Sequence, residues 1–130
     1  MEFTLTITIK TSANSIYKAW LSSEEHSMMT GGEAEITDSI GDEFTAWDGY
    51  IEGKNIELED GQRILQSWRT SQFEENEEDS LLEITLHENN GETELILTHS
   101  NVPESGEHYI NGWDQSYFQP MKEYFENFKN

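Results

Sequence analysis

Apolar and polar residues alternate over residues 3–9, with Phe3, Leu5, Ile7 and Ile9 on one face and threonines opposite. A period of two predicts a half-buried strand. Ser12 then stands where it can cap a short helix carrying Ile16, Ala19 and Trp20. Ser22 and Ser23, followed by Glu24 and Glu25, predict a second short helix that ends before Gly31 and Gly32. Short strands follow near 33–37, 42–47, 50–58, 63–70, 81–88 and 93–100. Turn signals separate neighbours at Asp48-Gly49, Asp60-Gly61 and Asn89-Asn90-Gly91. Links this short force antiparallel pairing, because parallel neighbours need a long crossover. Leu82, Ile84 and Leu86 share one face of their strand, as do Leu95, Leu97 and His99 of the next, so one face of the sheet meets a core. Trp47 and Trp68 fall on neighbouring parts of this sheet and are expected on different faces.

The last third changes period. Ile110, Trp113, Tyr117, Met121, Tyr124 and Phe128 recur at steps of three and four, and Phe118 and Phe125 widen the stripe. This predicts a helix of about five turns. Pro120 lies mid-stripe and removes one backbone donor. The stripe continues in phase beyond it, so a kink is expected there and not an end. The pattern therefore predicts an α+β, helix-grip arrangement: about six or seven antiparallel strands, two short helices after the first, and a long C-terminal helix across the sheet. With no repeat or linker in 130 residues, one domain over 1–130 is expected.

Charge narrows the partners. Seven basic residues against 27 acidic ones give a net charge of −20. Phosphate binding rests on clustered Lys and Arg, so nucleic acid and anionic membranes are not expected partners. Solubility accounts for such a charge, and a basic partner or a salt-rich setting also fits it. The run Glu74 to Asp79 reads as a solvated hairpin loop, since it lacks the spaced ligands and central glycine of a calcium loop. The absence of cysteine excludes disulfides, thiolate metal sites and cysteine nucleophiles. The opening MEFTLTITIK is not a signal peptide, and no segment approaches the roughly 20 apolar residues that span a bilayer. A soluble cytoplasmic protein is the expectation.

Candidate chemistry is sparse. No HExxH, GxSxG, Walker or GxGxxG pattern occurs, and no cofactor is called for. Acids are too numerous for any pair to be singled out as an acid–base couple. Glu104, Glu107 and His108 fit the acid-rich start of a helix better than a metal site. His99, on an inward face, reads as a hydrogen-bonded core histidine before a ligand or catalyst. The aromatic residues remain. Trp47, Tyr50, Trp68, Trp113 and Tyr117 are many for a thin core, and either pack helix on sheet or wall a cavity for a small ligand. The candidate lining is Trp47, Tyr50, Trp68, His99, Trp113, Tyr117 and Met121.

One set of residues carries a resemblance. Gly41-x-x-Phe44, Asp48-Gly49, Gly53, the run IELEDGQRILQSWR, GETEL at 91–95, Val102-Pro103 and Gly112-Trp113-x-x-x-Tyr117-Phe118 occur in this order between about Ser12 and Phe125. Together they resemble the homologues of the activator of the ninety-kilodalton heat-shock chaperone's ATPase, within the START-like, or birch-pollen-allergen-like, superfamily. The resemblance implies the helix-grip fold and a cavity between sheet and helix that in the superfamily often holds lipids, hormones or polyketides. It implies no catalytic residue, since the family is not defined by a catalytic constellation. In the eukaryotic co-chaperone a separate N-terminal domain precedes the similar domain. This chain opens directly on the first strand, so stimulation of the chaperone does not follow from the resemblance alone. A non-enzymatic domain binding a small apolar ligand is the leading expectation. Chaperone regulation through a protein partner is the alternative, and a cavity enzyme ranks last.

Overall fold

A computed structural model describes residues 1–128, the last by its backbone alone. Strand β1 (Phe3–Ile9) leads into α1 (Ala13–Trp20) and α2 (Ser23–Thr30). Both helices start on the serines that the sequence nominates. Ser12 accepts from the Ser15 N–H at 3.1 Å and Ser22 from the Glu25 N–H at 3.2 Å. Each bond satisfies a helix donor that has no intrahelical partner. Gly31 closes α2 in the left-handed region at φ 90°.

Five strands follow: β2 (Glu43–Ala46), β3 (Ile51–Glu59), β4 (Arg63–Thr70), β5 (Ser80–Asn89) and β6 (Glu92–Ser100). All pair antiparallel in one curved six-stranded sheet of order β1-β6-β5-β4-β3-β2. The expected strand at 33–37 shrinks to a single bridge between Glu35 and Thr45. On either side of the bridge, α2 takes two of the donors: the Ala34 and Ile36 N–H groups donate to the Ser27 and Ser23 hydroxyls at 2.8 and 2.9 Å. Side chains thus replace the ladder that a strand would need. The acidic loop between β4 and β5 is tied by Arg69, whose guanidinium donates to the Glu74 and Glu77 carbonyls and to Asp79.

The C-terminal helix covers residues 108–128. Its α-helical turns (His108–Trp113, Gln119–Glu123) alternate with π-helical turns (Asp114–Phe118, Tyr124–Phe128). The first π turn ends immediately before the α-helical turn that holds Pro120. The wider turn carries the chain past a residue that can neither donate nor tolerate the usual carbonyl beneath it. Trp113, Tyr117, Phe118, Met121, Tyr124 and Phe125 are buried against Ile64, Trp68, Leu82, Ile84, Leu95 and Leu97 of the sheet. The side chain of Phe128, the last member of the predicted stripe, lies outside the described residues. Among the described residues, no helix is long and apolar enough to cross a membrane.

Candidate functional site

A cavity of about 340 Å³ opens between the turn after β2, strands β3 and β4, and the first turns of the C-terminal helix. Trp47, Tyr50, Trp68, Trp113 and Tyr117 border it, and with them Ile51, His108, Tyr109, Gly112 and Ser116. Trp47 and Trp68, expected on different faces, converge here. The physical reason is local. Trp47 stands one residue beyond β2 at φ 51°, followed by Asp48 at 60° and Gly49 at 89°. A left-handed run ends the alternation by which strand faces are counted.

The walls are aromatic and mutually packed. Trp68 meets Tyr109 edge-on at 5.1 Å between centroids and lies 5.5 Å from Trp113, which lies 4.9 Å from Tyr117. Offset and edge-on pairs such as these hold their rings in place. Polar groups gather at two places. Tyr50 and His108 share the side-chain oxygen of Gln72, and the Tyr109 hydroxyl bonds Thr70. No residue in the lining carries a carboxylate, a lysine or an arginine. A second groove, about 610 Å³ on the outer face of the sheet, mixes Phe44 and Ile56 with the charged Glu35, Glu43, Glu52, Lys54, Arg69 and Asp79. Small-ligand sites are mostly apolar with few polar groups, which favours the aromatic cavity.

His99 and Met121, the other two members of the candidate lining, are fully buried in the core and do not border the cavity. His99 completes a relay in place of a wall. Its Nδ1 accepts from the Trp113 indole at 3.1 Å, so the ring proton sits on Nε2. Nε2 donates to the Ser80 hydroxyl at 2.8 Å, which donates to the Trp68 carbonyl at 2.6 Å. A serine beside a histidine suggests a nucleophile and its base. Here the base nitrogen already carries the proton, and both side chains have zero exposure, so the pair cannot take a proton from Ser80. Burial holds the His99 imidazole neutral, with its pKa pushed down to about 3.

A second buried pair, absent from the sequence reading, backs the cavity wall. His26 Nδ1 donates to the Trp20 carbonyl at 2.8 Å, so Nε2 accepts from the Tyr117 hydroxyl at 2.9 Å. Burial pushes the His26 pKa down to about 4 and the Tyr117 pKa up. Both shifts favour neutral partners and a fixed hydrogen bond; acid–base work needs a pKa near the working pH. Nothing in the local sequence links His26 to Tyr117, which lies 91 residues away.

Residues 10–126 match the sequence profile of the Activator of Hsp90 ATPase homolog 1-like protein family. The human activator of 90 kDa heat shock protein ATPase homolog 1 is 27% identical over 125 residues, as is the mouse protein. The match takes in 95% of this chain and 37% of each relative's length. Among solved structures, an HSP90 activator from Plasmodium falciparum superposes with a TM-score of 0.84 at 22% identity, covering 92% of this chain and 91% of that one. An Aha1 dimer from Colwellia psychrerythraea gives 0.82 at 17%, covering 100% and 99%. DynU16, a protein encoded in the dynemicin biosynthetic locus, gives 0.79 at 13%, covering 97% and 47%. At such identities these structures share the fold and no more.

Proposed function

The chain belongs to the Activator of Hsp90 ATPase homolog 1-like family, and from that membership we propose that it is a non-enzymatic binding domain whose aromatic cavity takes a small apolar ligand. One observation carries the reading. Gly112 sits in the middle of a helix, where glycine costs roughly 0.5–1 kcal/mol against alanine. It borders the cavity, and a Cβ built on it would meet nothing within 4 Å. The gap beneath it is therefore not needed to relieve a clash. It leaves space where a side chain would otherwise pack, and the aromatic rings around it stay in place through their own contacts.

The size of the effect follows from area. A ligand burying about 300 Å² of apolar surface gains on the order of 7 kcal/mol at 25 cal/mol per Å² before the losses of association. Losses of at least about 4 kcal/mol on association leave about 3 kcal/mol, so a Kd in the millimolar range is expected. Trp47, Trp68 and Trp113 border the cavity, so tryptophan emission should change on titration with fatty acids, sterols or flavonoids. Gly112→Leu should abolish that response and leave the melting temperature equal or higher, because the leucine fills the space and strengthens the helix. No emission change across the panel at millimolar ligand would overturn the reading. So would full binding by Gly112→Leu.

A second reading is chaperone regulation, favoured by the match to the human and mouse activators. The chain spans little more than a third of those proteins, so their activity passes to it only as a proposal. With a net charge of −20 the contact would have to be a basic patch, weakened steeply by salt. The ATPase rate of the same organism's ninety-kilodalton chaperone should then rise at low salt. An unchanged rate at saturating protein would remove this reading.

A further inference from the structure

The two edges of the sheet are finished differently. β2 is four residues long, and the segment before it covers its outer side: Glu35 bridges Thr45, and the Asp48 N–H donates to the Glu33 carbonyl at 2.9 Å. β1 is seven residues long and forms the opposite edge. Backbone polar groups alternate sides along a strand. The Met1 carbonyl turns towards the β6 side and accepts from the Val102 N–H at 3.0 Å. The Thr8 carbonyl and the Lys10 N–H point the other way, to Lys122 at 3.4 Å and Glu126 at 3.0 Å. Even-numbered residues therefore turn their backbone outward. Among the described residues, no group bonds the outward N–H and carbonyl of Thr4 and Thr6. Proteins guard long edges with charge, proline or a bulge. Between Glu2 and Lys10, β1 has none of these. Phe3, Leu5 and Ile7 stay half-buried along it, and a groove of about 470 Å³ runs beside Leu5 and Thr6, bordered by Ile110, Phe118, Glu107 and Asp114.

We propose that β1 is an interface for a second copy of this chain, paired antiparallel about a twofold axis through Thr6. The strand is complementary to itself in that register. Thr6 faces Thr6, Thr4 faces Thr8, Leu5 faces Ile7, Phe3 faces Ile9 and Glu2 faces Lys10. Apolar side chains meet on the inner face, threonines meet on the outer one, and each end closes on opposite charges. A slip of one residue would set apolar side chains against threonines. A slip of two sets Glu2 against Thr8 or Lys10 against Thr4, and separates the charges. Charge thus selects the register as well as the occupant. At the Lys10 end the second copy displaces Lys122 and Glu126 from the backbone, and these two keep their own ion pair at 2.9 Å. Exposed side-chain bonds are exchanged there for ladder bonds, at little cost. The cavity lies beside β3 and β4, towards the other edge, so both copies keep it open.

Analytical ultracentrifugation tests this at about 0.3 M salt, where the repulsion between two copies of charge −20 is screened. The mass of the native chain should rise towards twice the monomer between about 10 and 500 µM, the behaviour of a small interface. Thr6→Pro removes an outward N–H, a place where an edge strand tolerates proline. It should weaken association at least about tenfold and leave the circular dichroism unchanged. Glu2→Lys and Lys10→Glu should each weaken association, because each sets like charges opposite. Mixed in equal amounts, the two variants should recover the native affinity, since every new charge then faces its opposite. A mass that does not rise with concentration overturns the inference. So does association unchanged in folded Thr6→Pro, or a mixture no tighter than its components. If Thr6→Pro fails to fold, the charge variants decide, because Glu2 and Lys10 are both exposed.

Discussion

Gly53→Ala is expected to unfold the protein or to cost about 4–5 kcal/mol or more, the extreme end for one substitution. Gly53 sits in β3 opposite Phe44 of β2 and Trp68 of β4. A Cβ on it would stand 1.9 Å from the Ser67 carbonyl oxygen and 2.7 Å from the Phe44 ring. The ring could turn aside, but the oxygen belongs to the backbone of β4, the strand paired with β3. Relief requires the two strands to part, and overpacking that backbone must absorb exceeds the usual 1–3 kcal/mol. Urea unfolding of the purified variant measures the loss. Native-like stability would show that the strands can shift and that Phe44 does not press on the sheet. Gly112→Leu is the contrasting case, because that glycine faces open space.

Acidification from pH 7.5 to pH 5 is expected to remove about 4 kcal/mol of stability. His26 and His99 are neutral in the fold, with pKa values pushed down by burial to about 4 and about 3. In the unfolded chain each titrates near 6.5. Between those values the unfolded state binds more protons, so stability rises with pH and is lost as pH falls below about 6.5. At pH 5 each histidine contributes a loss of about 2 kcal/mol, at 1.36 kcal/mol per unit. The loss stops once pH passes below the folded values. Protonation also reverses the hydrogen bonds. His99 Nδ1 would face the Trp113 donor with a proton of its own, and His26 Nε2 would face the Tyr117 hydroxyl that donates to it. The window lies above the ordinary carboxylate range, so relief of the negative surface charge comes only later. Denaturant midpoints at several pH values test this, and a flat profile between pH 7 and pH 5 would refute it.

The two predictions differ in how far the sequence anticipates them. Gly53 falls inside a strand pattern, where glycine signals a bulge or a close approach. The sequence could not say which, and the approach depends on Phe44 and Ser67 from two other strands. A bulge does occur in β3, but between Asn55 and Glu57. His99 was legible as an inward core residue, while its partners Ser80 and Trp113 were not, and His26 gave no signal. Helix caps, by contrast, are decided within three residues, which is why Ser12 and Ser22 were found in place.

The order of elements, the antiparallel pairing, the helix starts and the glycine turns were determined by the sequence alone. Each depends on neighbours a few positions away, through periodicity, capping and left-handed turn geometry. Tertiary structure decided which rings share a cavity, which histidines are locked neutral, and why Ala34 and Ile36 bond serines of α2 instead of a strand. Those outcomes depend on contacts between distant segments. A cavity is the difference between the space a curved sheet encloses and the volume of the side chains that reach into it. That difference is a property of the whole packing, and no local pattern encodes it.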